Sequence, residues 1–428
     1  MQDWQIILAA FVAYWAVIAV LGKFKILERI NCKSWGPILT IRTERGKRLM
    51  DRLSRPQKFW HWFGVVSIAI CAVVAPVFLV TRAMMLPQIF EVKEPIDPRL
   101  MFVIPGINPI FPLFYGLLGL FIGMLVHEGA HGILMRRHDI TLKSFGLLFI
   151  LFPIGAFTEP EEEELLKAKR SHRAKIYSSG PGMNIILAVV VLLVSMAMIS
   201  TVSSQTSGLI PSKIHADMEE YYPDGLFAVL EIDGVATTSP DDIELARKVG
   251  PGDHSLKIFS ASSGMEYIAV RVKNESLGLG LGFQGWIKTG LFDVPFNTVE
   301  GFRSLLANPF NNFALFVGLP FERYQPIPSG MTQFYDVPMG DSFWVIYNCL
   351  YWIFWVNILL GLFNALPIFP FDGGWLFRDF ATFMAKKFTD DEDKAETAAG
   401  RITSGVSVLT LALLFAPLII PWIMQLIP

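Results

Sequence analysis

Charged side chains are scarce in this chain: Asp, Glu, Lys and Arg make up 17% of its 428 residues, whereas 53% are hydrophobic. Soluble domains carry about 25% charged residues, so this composition excludes an ordinary soluble protein. Several apolar runs are instead long enough to cross a bilayer core of about 30 Å. The formal net charge of −2 gives no indication of a nucleic-acid partner, and none is expected.

Cysteine is also rare, with Cys32, Cys71 and Cys349 as the three examples. Three cysteines do not make a disulfide framework, and two of them lie in apolar runs. The first apolar run has no basic leader and no small-residue cleavage site. We therefore expect it to be a retained transmembrane span rather than a removed signal peptide.

Six apolar runs predict six transmembrane helices, at residues 6–21, 62–80, 111–135, 174–200, 343–363 and 403–423. A dense basic segment, residues 23–61, follows the first of them and marks that loop as cytoplasmic. A nucleic-acid patch is the rival interpretation of this segment, and it is disfavoured because apolar side chains interrupt the charges. The resulting path places both termini outside.

Histidine occurs only seven times, yet two histidines flank a carboxylate in His127-Glu128-Gly129-Ala130-His131. On a helix, residues at i and i+4 share a face, so His127 and His131 can bind one metal ion. Glu128 can then reach a water molecule at the metal. This is the His-Glu-x-x-His arrangement of zinc metalloproteases. Ionisable residues inside a span are costly and usually functional, which weighs against a chance match.

Residues 141–157 are too short for a normal crossing and are interrupted by Pro153 and Gly155. Their apolar centre predicts a β-hairpin that re-enters the membrane beside the active site, where protein satisfies its backbone. A plain surface loop is the alternative. Farther along, Gly180-Pro181-Gly182 opens the fourth span, and Asn184 follows. Because an asparagine in lipid needs a partner, its side chain is expected to point into the helix bundle.

The polar segment 204–286 predicts a small folded insert. Ile232-Asp233-Gly234-Val235 predicts a strand, a tight turn and a strand; residues 239–242 predict a helix start, and residues 255–259 and 267–272 predict further strands. This order resembles a circularly permuted PDZ domain, and PDZ domains bind extended peptide ends by strand addition. A small β-rich spacer is the alternative. Residues 289–342 are interpreted as an interfacial amphipathic segment.

The fifth span runs into Asn364-Ala365-Leu366-Pro367, and two prolines and two glycines end the helix around Asp372. With the histidine motif, the pattern Asn-x-x-Pro-x-x-x-x-Asp-Gly resembles the site-2 protease family of intramembrane zinc metalloproteases. The resemblance implies that His127, His131 and Asp372 bind one zinc ion per chain and that Glu128 activates water. It further implies that Asn364 lies near the scissile carbonyl and that Asn184 supports the substrate or the oxyanion.

Taken together, the predicted fold is a polytopic α-helical membrane protein with about six transmembrane helices, a re-entrant β-hairpin and an extracytoplasmic α+β PDZ-like domain. The expected regions are an N-terminal two-span region, 1–110; the first half of the protease core, 111–203; the PDZ-like domain, 204–288; the interfacial segment, 289–342; and the second half of the core, 343–428. The expected location is the cell membrane, with the active site toward the cytoplasmic side.

The expected function is an intramembrane zinc endopeptidase that cleaves the transmembrane segments of single-span or signal-type membrane proteins near the cytoplasmic face. The PDZ-like domain is expected to filter these substrates, with a receptor for peptide ends as the alternative. One rival function is a non-catalytic membrane metal-binding protein or PDZ scaffold, although structural zinc normally has four protein ligands. Another is a membrane-anchored zinc protease whose third ligand is a glutamate and whose substrates are soluble.

Overall fold

The computed structural model describes residues 3–29, 32–44, 46–90, 105, 108, 111–150, 152–206, 208, 211–213, 227–237, 252–260, 264–272, 280–281 and 329–426. The helices are α1 (Asp3–Lys23), α2 (Ile26–Arg29), α3 (Lys47–Leu53), α4 (Gln57–Ile89), α5 (Leu113–Arg137), α6 (Glu162–Lys167), α7 (Arg170–Ile199), α8 (Asp341–Ala365), α9 (Asp372–Ala385) and α10 (Glu392–Leu426). The strands are β1 (Cys32–Trp35), β2 (Ile38–Thr43), β3 (Leu142–Ile150), β4 (Phe152–Pro160), β5 (Ser203–Ser204), β6 (Pro211–Lys213), β7 (Ala228–Ile232), β8 (Val235–Ala236), β9 (Gly252–Ser260), β10 (Gly264–Val272), β11 (Gly280–Leu281) and β12 (Tyr335–Asp336). The chain divides into two compact units, one formed by residues 1–109, 113–189 and 353–428 and the other by residues 110–112 and 190–352.

Five helices among the described residues are long and apolar enough to cross a membrane: α4, α5, α7, α8 and α10. They contain the second, fifth and sixth predicted spans and all but the outermost one or two residues of the third and fourth, so the chain is a mostly helical, multi-pass membrane protein. The first predicted span lies within α1. Residues Phe11–Lys23 of α1, whose side chains are described, form an apolar helix that is shorter than the other five. That this first predicted span crosses the membrane therefore stays a prediction.

The predicted hairpin is present as β3 and β4, but it belongs to a larger antiparallel sheet with the order β1-β2-β3-β4. Strands β1 and β2 come from the basic segment, where the sequence analysis predicted only a charged loop. Strand β3 pairs with β2 from Leu39↔Phe149 to Thr43↔Phe145 and is therefore a central strand, whereas β4 is an edge strand. Re-entry of this hairpin into the membrane stays a prediction.

A shared apolar core holds α4, α5, α7 and the sheet of the first unit together. Its buried members include Phe63, Leu134, Leu142 and Ile176. Gly132 lets the sheet approach α5 closely, since a Cβ at this position would lie 3.3 Å from the ring of Phe145. The helix that carries the histidine pair is thus fixed against both a neighbouring helix and the sheet.

Glycines also set the close approach of α8 to its neighbours. A Cβ at Gly361 would lie 3.0 Å from the carbonyl oxygen of Pro181 on α7, and one at Gly123 would lie 2.6 Å from a methyl group of Leu360. Small residues allow such contacts between membrane helices. Gly373 packs directly on the main chain at Ala365, which folds the end of α8 tightly against α9 and makes Asp372 the first residue of α9.

The second unit contains an antiparallel sheet with the order β10-β9-β7-β8. Asp233 and Gly234 join β7 to β8 with φ values of 54° and 80°, as the predicted tight turn requires. Strands β9 and β10 contain the other predicted strands. The predicted helix start at 239–242 and most of the predicted interfacial segment lie outside the described residues. The PDZ-like fold and the domain boundaries therefore stay predictions.

Candidate metal centre

Two histidines on α5 face one another, as the spacing predicts. His127 and His131 are 7% and 6% exposed, and their Nε2 atoms lie 3.2 Å apart. The first carboxylate of α9 completes the group: Oδ2 of Asp372 lies 3.0 Å from Nε2 of His127 and 3.1 Å from Nε2 of His131. The structure therefore brings together the three predicted ligands, which lie 241 and 245 residues apart along the chain.

The triangle of ligand atoms fits a small tetrahedral cation. Bonds of about 2.0–2.1 Å at tetrahedral angles separate two ligand atoms by about 3.3 Å, close to the spacing observed here. Two imidazole nitrogens and one carboxylate oxygen are also the donor set of catalytic zinc, with a fourth position left open. Within the described residues, His127, His131 and Asp372 form the group of His, Cys, Asp or Glu side chains that could hold a metal ion.

The outer nitrogen of His131 is fixed by the main chain of α7. Its Nδ1 lies 2.8 Å from the carbonyl oxygen of Ile176, to which it donates its proton. This hydrogen bond leaves the lone pair of Nε2 free to point at the ligand triangle. Such an outer partner both selects the tautomer and orients the ring for metal binding.

The outer nitrogen of His127 faces Asn184, which is fully buried on α7. Nδ2 of Asn184 lies 3.2 Å from Nδ1 of His127, while Oδ1 of Asn184 is buried and has no hydrogen-bond partner among the residues that the structure describes. If Nε2 of His127 binds a metal, the proton resides on Nδ1 and needs an acceptor. A rotation of the amide by 180° supplies that acceptor and also satisfies the orphaned oxygen. Asn184 therefore fits the metal-binding tautomer of His127.

A glycine on α7 leaves room over the ligand triangle. A Cβ at Gly180 would lie 2.6 Å from Nε2 of His127 and would also overlap Nε2 of His131. The absence of a side chain at Gly180 therefore keeps the space beside both ligand nitrogens open. The sequence alone placed Gly180 at the opening of the fourth span and not at the metal centre, because its closeness to the histidines depends on helix packing.

The remaining predicted residues differ in their surroundings. Glu128 interacts electrostatically with His131, His127 and Asp372, and its carbonyl oxygen accepts a hydrogen bond of 3.0 Å from Oγ1 of Thr158. Asn364 donates to the carbonyl oxygen of Leu360 in its own helix, at 2.9 Å. Its position beside a scissile carbonyl stays a prediction.

A carboxylate that would favour the rival protease class is occupied elsewhere. Glu159 pairs with Arg42 at 3.1 Å and accepts a hydrogen bond of 2.6 Å from Ser144. Among the described residues, the third side chain of the group that could hold a metal ion is Asp372 instead.

One ion pair that the sequence analysis missed connects α7 to α9. Arg173 donates two hydrogen bonds to the carboxylate of Asp379, at 2.7 and 2.8 Å, and both side chains are mostly buried. A two-pronged arginine–carboxylate pair fixes geometry as well as distance. It holds α9, and with it Asp372, against the helix that carries Gly180 and Asn184. No sequence pattern predicts the pairing of Arg173 with Asp379, because 206 residues separate them along the chain.

The fold and the site together define a class of protein, a membrane metallopeptidase. Residues 115–410, more than two thirds of the chain, match the model of peptidase family M50, and the chain belongs to this family, that of the site-2 proteases. An uncharacterized protein of Methanocaldococcus jannaschii is 26% identical over 394 residues, which cover 90% of this chain and 88% of that protein. The resemblance drawn from the two motifs is thus confirmed.

Proposed function

We propose that this protein is a zinc endopeptidase that hydrolyses peptide bonds within the transmembrane segments of other membrane proteins. The observation that carries this proposal is the triangle of His127, His131 and Asp372 beside Glu128, formed at one end of apolar helices. Single-span or signal-type membrane proteins are the proposed substrates. The density of Lys and Arg in residues 23–61 supports a cytoplasmic position for the end of the membrane where the site lies.

His127, His131 and Asp372 would hold the zinc ion, with Asn184 and Ile176 fixing the tautomers of the two histidines. When bound, zinc supplies Lewis acidity, which acidifies water and polarises the carbonyl of the peptide to be cleaved. Three protein ligands and an adjacent carboxylate that is not one of them fit a catalytic site better than a structural one. This donor set therefore favours an enzyme over a metal-binding scaffold.

Glu128 is the proton carrier in this proposal. Its carboxylate accepts the proton of the attacking water and then delivers it to the nitrogen of the leaving amine. Asn364 is the proposed donor to the oxyanion: its amide would exchange the hydrogen bond to Leu360 for one to the developing negative charge.

The open edge of β4 supports a way of holding the substrate. A helical substrate must unwind before its carbonyls are accessible, and an unwound segment can add as a strand to an exposed sheet edge. Strand β4 is the outermost strand of its sheet among the described residues, and Thr158 on this strand donates a hydrogen bond to the carbonyl oxygen of Glu128 on α5. An isolated two-stranded hairpin would leave an edge of β3 open at Leu148 and Phe149, but β3 is a central strand that pairs with both β2 and β4. Proline at Leu148 or Phe149 therefore does not test edge pairing.

The insert between α7 and α8 is proposed to restrict access by substrates that still carry bulky outer portions. Replacing residues 204–286 with a short flexible linker should leave trimmed substrates cleavable and newly permit cleavage of untrimmed ones. A receptor for peptide ends predicts the reverse, with trimmed substrates no longer cleaved.

The decisive experiment uses the full-length protein in detergent with a labelled transmembrane peptide. Glu128→Gln should retain zinc but lose cleavage by several orders of magnitude, because only the proton acceptor is removed. Asp372→Asn should instead lose zinc, because it weakens a ligand. Metal content and turnover are measured on the same preparations.

Glu163→Gln is the matched control, since Glu163 is an exposed side chain of α6 that pairs with Lys167 rather than with the ligand triangle. It should keep both zinc and turnover. Substantial turnover by zinc-loaded Glu128→Gln would refute the role of Glu128. A zinc-loaded wild-type protein that cleaves no membrane substrate would favour the metal-binding scaffold.

A further inference from the structure

A second group of titratable side chains lies apart from the metal centre, at one end of α4, α5 and α7. The basic cluster consists of His61 on α4, Arg137 and His138 at the end of α5, and His172 and Lys175 at the start of α7. The imidazole rings of His138 and His172 are stacked, with centroids 4.0 Å apart. These five groups meet where three apolar helices end, the depth at which lipid headgroups begin.

Lys175 is the most deeply buried member of the basic cluster, with 8% of its surface exposed. Its stem lies across α4 at Gly64, where a Cβ would be 2.8 Å from the Cγ atom of Lys175. This arrangement brings Nζ within 3.1 Å of Nδ1 of His61. Lysine is almost never fully buried without a partner of opposite charge. The absence of a side chain at Gly64 leaves the space that the stem of Lys175 occupies.

The basic cluster has no acidic partner among the described residues. Neighbouring Arg136 forms an ion pair with Asp51, whereas Arg137, His138, His172 and Lys175 form no ion pair within the described part of the chain. Nε of Arg137 and Nε2 of His138 are buried without hydrogen-bond partners in the described part of the chain. Asp139 acts electrostatically on His172 but forms no ion pair with it among the described contacts.

The surroundings of His138 oppose the uptake of a further proton in the basic cluster. Burial, followed by the positive charges of His172, Arg137, Lys175 and His61, lowers the pKa of His138 to about 4. A buried positive region without a counterion is unfavourable, and an anion bound there would relieve both the repulsion and the unmet donors.

We propose that the basic cluster is a binding site for a phosphate group. Arginine, lysine and histidine are the usual donors to phosphate, and the tetrahedral oxygens can accept from donors on three helices at once. A phospholipid headgroup and a soluble phosphate compound share this chemistry. The position of the cluster at the ends of the spans suits either source, and the test separates them.

The test uses the full-length protein in detergent and has two arms. In the first, thermal unfolding is followed while sodium phosphate is added, with sodium chloride of equal ionic strength as the reference. In the second, native mass spectrometry measures the binding of phosphatidylglycerol, with galactosyl diacylglycerol, which lacks phosphate, as the reference lipid. Binding in the first arm alone identifies a soluble phosphate compound, and binding in the second alone identifies a lipid headgroup.

Two variants challenge the site independently. Lys175→Met keeps the stem beside Gly64 and removes the charge, and Arg137→Gln removes a half-buried donor at a helix end. Each should weaken phosphate or phosphatidylglycerol binding about tenfold, as expected for the loss of a charged hydrogen bond. Retention of zinc by each variant shows that it folds.

Lys58→Met is the matched control, because Lys58 is exposed in the first turn of α4 and belongs to no cluster among the described residues. It should bind as the wild type does. Equal losses in Lys58→Met and Lys175→Met would reveal diffuse surface attraction and overturn the proposal. Wild-type protein that binds neither phosphate nor phosphatidylglycerol above its reference would overturn it as well.

Discussion

The side-chain amide of Asn184 lies 3.2 Å from Nδ1 of His127, on the side of the imidazole ring that faces away from the ligand triangle. We expect this contact to make Asn184 a positioning residue for the metal centre, in addition to the substrate or oxyanion role that the family resemblance implies. The two roles differ in their consequences, because a positioning residue affects zinc affinity even when no substrate is present.

Asn184→Leu should lower zinc affinity by about 10- to 100-fold, the usual cost of losing an outer partner of a ligand histidine. Asn184→Asp keeps an acceptor beside Nδ1 of His127 and should retain much more of the affinity. Competition with a chromogenic chelator measures both. Unchanged zinc affinity in Asn184→Leu, together with reduced turnover, would assign Asn184 to the substrate instead.

Gly180→Ala should prevent zinc binding, because the added methyl group occupies the space beside the Nε2 atoms of His127 and His131. Gly129→Ala is its control: this glycine lies on α5 between the two histidines, and an added Cβ meets nothing within 4 Å. Zinc content after purification distinguishes them. Full zinc occupancy in Gly180→Ala would show that the metal position lies away from α7.

Proline in β4 should separate edge pairing from sheet stability. The N–H groups of neighbouring residues on a strand point to opposite edges of that strand. Of the two variants Gly155→Pro and Ala156→Pro, one therefore removes an N–H that points toward β3, and the other removes an N–H that points away from β3. One variant should lose thermal stability, and the other should keep stability and zinc while cleavage of a transmembrane substrate falls about tenfold or more. Leu148→Pro, on the central strand, is the destabilised reference. If neither β4 variant loses cleavage independently of stability, substrate does not pair with this edge.

Acidification should destabilise the protein partly through His138. Burial and the neighbouring positive charges lower the pKa of His138 from 6.5 to about 4 in the folded chain. In the unfolded chain, His138 binds a proton near pH 6.5, whereas in the folded chain it binds one only near pH 4. The free energy of unfolding therefore falls as the pH decreases from about 6.5 to about 4. His138→Gln should lose less stability over the same range in thermal unfolding experiments. Identical pH dependence in both proteins would contradict the assignment.

Local patterns were sufficient for the membrane helices and for the histidine pair. Apolar runs located α4, α5, α7, α8 and α10, because a span of about 20 apolar residues has few other stable uses. The spacing of His127 and His131 predicted their shared face, because helical geometry alone determines it. Strands β1 and β2 were missed, since the basic residues there gave a stronger signal for membrane topology than for a sheet whose partners lie about 100 residues away.

The sequence by itself determined the chemistry that is present: an apolar chain with two histidines, a glutamate and an aspartate in motifs characteristic of one family. Only the tertiary structure decided how these groups meet. Asp372 joins the histidines because Gly373 and Gly361 allow close packing around α8. Asn184 and Ile176 reach the outer nitrogens through the packing of α7 against α5. Such contacts depend on the distances between helices. These distances arise from the packing of the whole bundle, and no periodic pattern in the sequence predicts them.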